Sequence, residues 1–456
     1  MKSGKLTRMG LVVFAALVTL AGLAQDKQSD QLSFYAVKDL GTPGGTFSVG
    51  VGINNEGLVS GTASLRHNAA LHAFLWQKGK GHKIDLGTLG GPDSQSNGKP
   101  NEQGAVPGLS ETSNPDPLGE DFCFFGTGLT CLPFVWLNGT MTALFTLGGN
   151  NGIANYVNNL GEVGGLAENA TLDSSCPNPQ YQTEPVIWEN GVPQQLPTVA
   201  GDPDGFVNAI NDQGLAVGGS GQCRCLFCSA SGLHAVLWQN GLPTDLGNLG
   251  GALFSQAQDI NARGQAIGAS DLPGDTNFFA GPFINFHAFL WQQGVLTDLG
   301  TLPGDTVSYP NSIDNKGQIA GQGSRAIFWD SGGNLIDLNT LVPGPPFSPL
   351  YLLSAIDIND QGEIVGLGLA ANGELHGFLA VPCDERHGQF HACHNNGRAS
   401  SSEESQSSPA GASQPSSGQS GATPALPRPG TFSWHRPGTL PGAYSSIAGE
   451  GTRRRP

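Results

Sequence analysis

The amino-acid sequence predicts an all-β fold made of seven repeated four-stranded units. Three observations support this prediction: a turn-rich composition, three short motifs that recur in a fixed order, and strand-like segments without helical periodicity. Of 456 residues, 68 are Gly and 31 are Pro, whereas only 13% are Asp, Glu, Lys or Arg, about half the usual charged share. Because 38% of the residues are apolar, the chain can build a core and is not disordered as a whole.

The first motif is a turn of the form Ile-Asn-x-x-Gly, preceded by a β-type segment. Asn or Asp opens such a turn through its side chain, and Gly closes it with a positive φ. Successive turn glycines lie between 45 and 57 residues apart, which sets the repeat at about 50 residues. The seven glycines are Gly57, Gly104, Gly161, Gly214, Gly264, Gly317 and Gly362.

The second motif is an aromatic strand of the type His-Ala-Phe-Leu-Trp. Its apolar and aromatic content is typical of strands. Because its His recurs at one place in several units, we predict a structural role, in which each ring bonds a neighbouring backbone carbonyl. The strand ends at Trp76, Trp136, Trp188, Trp238, Trp291 and Trp329, with Ala380 in the seventh unit, and it begins with a His at His72, His234, His287 and His376.

The third motif, Asp-Leu-Gly-Thr-Leu-Gly-Gly, follows a short turn after the Trp position and so completes a second hairpin. Its repeated aspartates suit hydrogen bonds to turn amides. Calcium binding is the lesser alternative, because no dense Asp-x-Asp-x-Asp ligand loop is present. The aspartates are Asp39, Asp85, Asp245, Asp298 and Asp337.

A four-stranded unit of about 50 residues is typical of a blade, so the sequence predicts a seven-bladed β-propeller over residues 34–382. An extra copy of the third motif, at Asp39, precedes the first unit, whereas the seventh unit lacks an outer strand. We therefore expect the segment 34–41 to complete the last blade and close the ring, which removes exposed strand edges. An open β-solenoid is the alternative, but it needs no split unit.

The three motifs together resemble the extracellular HAF-repeat family of exported bacterial proteins. The resemblance covers about residues 34–381, although the tripeptide His-Ala-Phe itself occurs only at His72 and His287. It implies propeller-like repeats and export. It implies no activity and no catalytic residues, because the family has no established activity.

The two ends of the chain predict export and a flexible tail. Residues 1–24 carry Lys2, Lys5 and Arg8, then an apolar run, then small residues up to Ala24, which is the pattern of a cleavable signal peptide. An uncleaved anchor is disfavoured because the run is shorter than the roughly 20 residues that span a bilayer. We expect a secreted protein, extracellular or periplasmic, with no integral membrane segment after cleavage. Residues 399–456 have the composition of a disordered tail.

The eight cysteines form an even set, which in an exported chain predicts disulfides. Proximity favours a bond between Cys123 and Cys131 and another within the Cys/His-containing tail, 383–398. A metal site near His234 or in that tail is the alternative, although neither has a regular zinc spacing, and no cofactor is predicted. The expected pairs are Cys123 with Cys131, Cys383 with Cys393, and Cys176 with one of Cys223, Cys225 and Cys228.

Charge and loop length bear on function. The formal net charge of −16 argues against nucleic-acid partners, since a phosphate backbone would be repelled. Between the turn Gly and the Trp position the units span from 12 to 32 residues, so insertions collect on one face, next to the Gly-rich connections. Variable loops on a rigid scaffold commonly carry binding residues.

We therefore predict an exported, monomeric, non-catalytic binding module that presents a loop-rich acidic face to a glycan, a protein or a cell-surface partner. The alternative is a propeller enzyme, a hydrolase or lyase that acts on extracellular polysaccharide through residues near the central channel. Inward carboxylates or histidines from non-equivalent positions would indicate the enzyme. Inward residues that merely repeat from blade to blade would indicate a scaffold.

Overall fold

The computed structural model describes residues 34–174, 176, 179–222, 232–274, 285–342 and 348–383. The predicted signal peptide, the low-complexity tail and all of 383–398 except Cys383 lie outside the described residues. Within them, the strands form seven four-stranded antiparallel sheets. The protein is thus all-β and forms a seven-bladed β-propeller, as the sequence predicts.

Each sheet is one blade, and its first strand in chain order lies innermost, in contact with the first strands of neighbouring blades. Blade 1 has β2 (Ser48–Ile53), β3 (Leu58–Ser64), β4 (Leu71–Gln77) and β5 (Lys83–Asp85). Blade 2 has β6 (Ser94–Ser96), β7 (Val106–Pro115), β8 (Leu129–Leu137) and β9 (Thr140–Ala143). Blade 3 has β10 (Gly148–Val157), β11 (Val163–Leu172), β12 (Tyr181–Glu189) and β13 (Val192–Gln195).

The remaining blades follow the same order. Blade 4 has β14 (Asp204–Ile210), β15 (Ala216–Gly221), β16 (His234–Gln239) and β17 (Leu242–Asp245). Blade 5 has β18 (Ser255–Ile260), β19 (Ala266–Asp271), β20 (Phe286–Gln292) and β21 (Val295–Asp298). Blade 6 has β22 (Tyr309–Ile313), β23 (Ile319–Gln322), β24 (Ala326–Trp329) and β25 (Leu335–Asp337). Blade 7 has β26 (Leu350–Ile358), β27 (Ile364–Ala370) and β28 (Leu375–Pro382), and single 3₁₀ turns lie at Arg66–Asn68 and Leu338–Leu341.

The N-terminal strand closes the ring. Strand β1 (Tyr35–Asp39) pairs antiparallel with β28, in a register that runs from Tyr35 opposite Pro382 to Asp39 opposite Phe378. The last blade therefore has the order β1-β28-β27-β26, with its outer strand supplied from the start of the chain. This confirms the predicted closure by the segment that carries the extra Asp-Leu-Gly motif.

Glycines in the second strands let aromatic side chains pack on the blades. A Cβ on Gly61 would lie 2.3 Å from both the Phe74 ring and the Val49 carbonyl oxygen, well inside van der Waals contact. A Cβ on Gly268 would lie 2.4 Å from the Phe289 ring. Each glycine is therefore required by a close approach, because any larger residue would displace the aromatic ring of the adjacent third strand.

Three of the repeated tryptophans tie their blades to the connections that lead into them. Trp188, Trp238 and Trp329 are fully buried, and each indole N–H donates to a backbone carbonyl, as a buried indole requires. The acceptors are the carbonyls of Phe145 at 2.7 Å, Pro197 at 2.7 Å and Leu299 at 3.1 Å respectively. In the described parts of the chain, no helix has the length and hydropathy needed to cross a membrane.

Candidate functional site in the central channel

Turns between the first and second strands surround one end of the channel. In blade 1, Asn54 Oδ1 accepts from the backbone N–H groups of Glu56 at 3.1 Å and Leu58 at 2.9 Å, and Gly57 closes the turn with φ of 72°. This confirms the predicted roles of Asn and Gly. The Asn54 Nδ2 is left free to bond outside its own blade.

These turn asparagines form what we call the asparagine ring, in which each Nδ2 donates to the carbonyl of the equivalent residue in the next blade. Asn359 of blade 7 donates back to Asn54 of blade 1, so the ring closes on itself. At Asp314 of blade 6 a carboxyl group stands in place of the amide. The bonds are Asn54 to Asn101 (2.9 Å), Asn101 to Asn158 (3.0 Å), Asn158 to Asn211 (3.2 Å), Asn211 to Asn261 (2.9 Å), Asn261 to Asp314 (3.0 Å) and Asn359 to Asn54 (3.1 Å).

The residues that follow form a second ring, the mouth ring, in which a backbone N–H bonds the side chain of the next blade. Its members are Asn55, Glu102, Asn159, Asp212, Ala262, Asn315 and Asp360. The bonds are Asn55 to Glu102 (3.2 Å), Glu102 to Asn159 (2.9 Å), Asn159 to Asp212 (2.8 Å), Ala262 to Asn315 (2.8 Å), Asn315 to Asp360 (2.8 Å) and Asp360 to Asn55 (3.0 Å). Both rings repeat with the blades and are explained by the stability of the fold.

Two residues before each turn asparagine, the repetition stops. In six of the seven inner strands the register of the pairing shifts at the residue just before this position, as between Ala257 and Asp259. Among the seven residues at this position, aspartate is the one type that occurs more than once. The fold therefore does not require a particular residue type there. The seven positions hold Gly52, Lys99, Tyr156, Ala209, Asp259, Ser312 and Asp357.

The polar members of this set, Lys99, Tyr156, Asp259, Ser312 and Asp357, line a cavity on the channel axis, to which every blade contributes. We call these five residues the channel cluster. The cavity has a water-accessible volume of about 60 Å³, and one water molecule needs at least roughly 10–15 Å³ of such volume. The cavity therefore has room for several polar groups of a ligand.

Lys99 reaches the channel because blade 2 is irregular. Strand β6 stops early, and the chain then runs through Gly98, Lys99 and Pro100. A Cβ on Gly52 would lie 2.1 Å from the Lys99 Cα, so glycine there lets this segment pass close to blade 1. The Lys99 Nζ lies 5.4 Å from the centroid of the Tyr156 ring, within the range of a cation–π contact.

Lys99 is positively charged in this setting. Burial by itself lowers the pKa of its ammonium, but Tyr156, Asp357 and Asp259 outweigh burial and hold that pKa well above its usual value. Burial conversely raises the pKa of the Tyr156 phenol, so the phenol stays protonated and can donate a hydrogen bond. The pair offers a ligand one fixed cation and one neutral hydroxyl.

The two aspartates are linked through a serine. Ser312 Oγ lies 3.1 Å from Asp259 Oδ2 and 2.5 Å from Asp357 Oδ1. A hydroxyl has one proton, so both contacts are hydrogen bonds only when one carboxyl group carries a proton. Burial raises the pKa of both aspartates, that of Asp357 to about 6, although Lys99 acts in the opposite direction. The cluster can therefore exchange a proton near pH 6.

Two amide oxygens in the cavity lack hydrogen-bond partners among the described residues. They are Gln95 Oε1 and Asn311 Oδ1, on side chains that are 2% and 6% exposed. Their amide nitrogens are bonded, to Asn97 Oδ1 at 3.1 Å and to the Ala355 carbonyl at 2.8 Å. Buried acceptors are normally satisfied, so both oxygens are suited to a hydrogen-bond donor in the cavity.

The repeated histidines lie elsewhere, outside the cavity lining. His72 does bond a backbone carbonyl, that of Pro92 at 3.2 Å, as predicted, but its Nδ1 contacts the Asp85 carboxylate at 2.8 Å. A carboxylate is the partner that all four rings share. For three of them it is the Asp of the third motif, which pairs with the residue two positions after the His. His234 instead contacts Asp202, in the connection that leads into blade 4. The other Nδ1 contacts are His234 with Asp202 (2.9 Å), His287 with Asp298 (2.9 Å) and His376 with Asp39 (2.8 Å).

The aspartates of the third motif also bond turn amides, as the sequence predicts. Each accepts from the backbone N–H two residues further on, and so fixes the turn that leads into the next blade. The bonds are Asp39 from Gly41 (2.6 Å), Asp85 from Gly87 (2.8 Å), Asp245 from Gly247 (2.8 Å), Asp298 from Gly300 (2.7 Å) and Asp337 from Asn339 (2.9 Å).

The disulfide between Cys123 and Cys131 is present, which confirms that pair. Cys176 and Cys383 are also disulfide-bonded, to cysteines outside the described residues, where Cys223, Cys225, Cys228 and Cys393 lie. Cys176 groups with Asp173 and Asp204, with ligand atoms within 4.8 Å of one another. Because its sulfur is in a disulfide, this group offers a metal no thiolate.

The channel cluster lies at the end of the propeller opposite the long loops. Each inner strand runs from the Gly-rich connection toward the Asn turn, so a residue two positions before the turn lies near the turn end. The sequence predicts binding on the loop-rich face, and its repeated motifs do not include Lys99, Tyr156, Asp259, Ser312 or Asp357. The signal that could have found them is the unrepeated position within an otherwise repeated motif.

The strand pairing and the polar channel define a seven-bladed β-propeller with one unrepeated charged cluster on its axis. No protein-family model matches the sequence, and no curated protein matches it. Solved structures with a similar arrangement include the β-propeller domain of the Trilobed protease from Pyrococcus furiosus, with 9% identity, a TM-score of 0.43 and coverage of 76% of this chain and 95% of that one.

Two further similar structures are enzymes. A puromycin hydrolase has 16% identity and a TM-score of 0.43, with coverage of 74% of this chain and 52% of that one. An ulvan lyase from a family of polysaccharide lyases has 11% identity and a TM-score of 0.41, with coverage of 76% and 94%. We draw no function from these similarities.

Proposed function

We propose that this protein is an exported propeller of the HAF-repeat type that binds a glycan in its central channel. One observation carries the proposal: at a single level of the channel, the repeat holds Lys99, Tyr156, Asp259, Ser312 and Asp357 instead of a common residue. A position kept only for stability would hold side chains of one kind, as the asparagine ring holds Asn or Asp in every blade. The disulfide between Cys123 and Cys131 supports an oxidising, extracytoplasmic location.

The chemistry of the cavity suits hydroxyl groups. The two unpartnered oxygens of Gln95 and Asn311 accept hydrogen bonds, and the Tyr156 phenol donates one. The cavity, with a water-accessible volume of about 60 Å³, is large enough for the end of a glycan chain and too small for an extended segment. Binding at the channel end adds to, and is separable from, any contact by the loop-rich face.

The proposal is tested by titration calorimetry of the mature chain with β-1,4-linked sugar trimers. Tyr156→Phe removes the phenol and keeps the ring, and we expect it to weaken binding about tenfold, the cost of one hydrogen bond to a ligand. Tyr181→Phe, which lies outside the cavity lining, is the matched control. Equal affinity of both variants and the parent protein would locate binding away from the channel.

A propeller enzyme acting on extracellular polysaccharide, a hydrolase or lyase, is the second candidate. The observation that favours it is the pair Asp259 and Asp357 bridged by Ser312, which can exchange a proton near pH 6, a property of general acid–base groups. Prolonged incubation with polysaccharides, followed by assays for new reducing ends and unsaturated sugars, separates the two functions. Binding without product supports the binding protein, whereas product that disappears in Asp357→Asn supports the enzyme.

A further inference from the structure

The charge of the channel indicates which glycans it would select. This inference rests on the proposed function and deepens it. The charged groups of the cavity are one cation, Lys99, and two carboxyl groups, Asp259 and Asp357. The mouth ring adjoins them and contributes Glu102, Asp212 and Asp360, with no Lys, Arg or His among its seven members.

Asp360 is the mouth-ring carboxylate that acts most directly on the cluster. Burial by itself raises its pKa, but bonds from the Asn315 backbone and side chain and from the Asn55 amide, together with the Lys99 charge, outweigh burial and lower it. Asp360 is therefore ionised at neutral pH. Because the Lys99 charge acts on the Asp360 carboxylate, the mouth ring and the channel cluster interact electrostatically.

Hydrogen-bonding groups in the cavity lead to the same conclusion. The unpartnered oxygens of Gln95 and Asn311 are acceptors, and Ser312 already directs its hydroxyl toward two carboxyl groups. A ligand that brings donors therefore satisfies these acceptors, whereas the Lys99 ammonium and the Tyr156 phenol already contact each other. A carboxylate, sulfate or phosphate group brings acceptors and negative charge, and meets both unpaired acceptors and like charge.

We propose that the channel selects glycans that carry protonated amines, such as chains of amino sugars, over neutral glycans and against anionic ones. The ammonium group donates to the amide oxygens of Gln95 and Asn311 in the cavity, and its charge compensates the excess of carboxylates over Lys99. The chain's net charge of −16 favours the approach of the same ligands, because a cleft of one sign focuses the field on opposite charge.

The test uses four β-1,4-linked trimers that differ only in one substituent: glucosamine, N-acetylglucosamine, glucose and glucuronic acid. Calorimetry of the mature chain at low salt, at about pH 6.5, keeps a large part of the amines protonated and Lys99 charged. We expect the glucosamine trimer to bind about tenfold more tightly than the two neutral trimers, and the glucuronic acid trimer to bind least. The preference should shrink as salt is added, because exposed charges are screened.

The outcomes distinguish the two proposals. If a neutral trimer or the glucuronic acid trimer binds as tightly as the glucosamine trimer, the amine selectivity is overturned, while glycan binding stands and Tyr156→Phe still decides whether it occurs in the channel. If no trimer binds, the proposed glycan-binding function fails, and the inference fails with it.

A variant locates the selectivity at the mouth ring. Asp360→Asn removes one charge but keeps an oxygen for the Asn315 backbone bond of 2.8 Å, so we expect the preference for glucosamine over glucose to fall about threefold. Asp330→Asn makes the same charge change in an exposed turn outside the cavity lining and serves as the control. Asp212→Asn provides a second mouth-ring variant if Asp360→Asn melts early. An unchanged preference in the folded variants would overturn the assignment to the mouth.

Discussion

The gap in the asparagine ring predicts that one substitution stabilises the protein. Asp314 Oδ1 accepts the turn bonds from Lys316 N at 2.9 Å and Gln318 N at 2.7 Å, as the asparagines do. Its Oδ2 is buried and has no hydrogen-bond partner among the described residues. Asp314→Asn places an amide donor there, and we expect it to bond the Asn359 carbonyl and complete the ring.

The magnitude follows from two contributions. A new hydrogen bond adds about 0.5–1.5 kcal/mol, and relief of a buried unsatisfied group adds about 1–3 kcal/mol, so a gain of about 2 kcal/mol is a moderate expectation. The unfolding entropy of a propeller of roughly 350 residues, at about 2 cal/mol/K per residue, is about 0.7 kcal/mol/K. The melting temperature should therefore rise by about 3 °C at neutral pH.

The gain should depend on pH. Burial raises the pKa of Asp314 in the folded state, although backbone bonds from Gln318 and Lys316 oppose it. A raised folded-state pKa means that the parent is most stable below the unfolded-state pKa, about 4, and loses stability as pH rises through the folded-state value. Below about pH 4 the neutral carboxyl group can itself donate to Asn359. The advantage of Asp314→Asn should thus be small in acid and full at neutral pH.

Calorimetric melting of both proteins across this pH range is the assay. The reverse change in another blade, Asn211→Asp, interrupts the 2.9 Å bond to Asn261 and should lower the melting temperature by a similar amount at neutral pH. Equal melting of parent and Asp314→Asn at neutral pH, or an advantage that is constant with pH, would refute the reasoning.

Three further predictions concern the fold. Deletion of 34–41, which contains β1, should lower the melting temperature by more than 10 °C, roughly 7 kcal/mol on the same entropy scale, because it leaves the edge of the last blade unpaired; an unchanged melting curve would contradict closure. Gly61→Ala should cost about 3 kcal/mol in urea unfolding, since its Cβ meets the Phe74 ring at 2.3 Å; a cost near zero would mean that the ring moves aside freely. Replacement of Cys123 and Cys131 by Ser should cost about 2.5 kcal/mol for a loop of this size; an equal urea midpoint would mean that the bond adds no stability.

Much of the architecture follows from repetition. The spacing of Gly57 and its equivalents defines the blade, and the additional motif at Asp39 predicts the closing strand. The same reasoning assigns the histidines a structural place but favours a backbone carbonyl as their partner. The structure shows a carboxylate partner for each. Pairing of the third and fourth strands sets Asp298 opposite Phe289 and so brings it within 2.9 Å of the His287 ring, a contact that spacing along the chain does not reveal.

The channel cluster could not be predicted with the same method, for two physical reasons. A search for repeats favours residues that recur, whereas Lys99 and Tyr156 occupy a recurring position without recurring themselves. The side of a strand that a residue faces also depends on bulges, because one added residue reverses the facing of every later side chain. The shift between Ala257 and Asp259 cannot be read from composition or spacing.

The bonds of the asparagine ring all run in the direction of the chain, from one blade to the blade made after it. An assembly of any number of consecutive blades would thus end with one unused amide at its last turn and one unused carbonyl at its first. When Asn359 meets Asn54, both are satisfied at once. Such a pattern is modular, since the gain or loss of a whole blade by duplication or deletion leaves the bonding complete. The number seven must then be set by the side chains packed between blades.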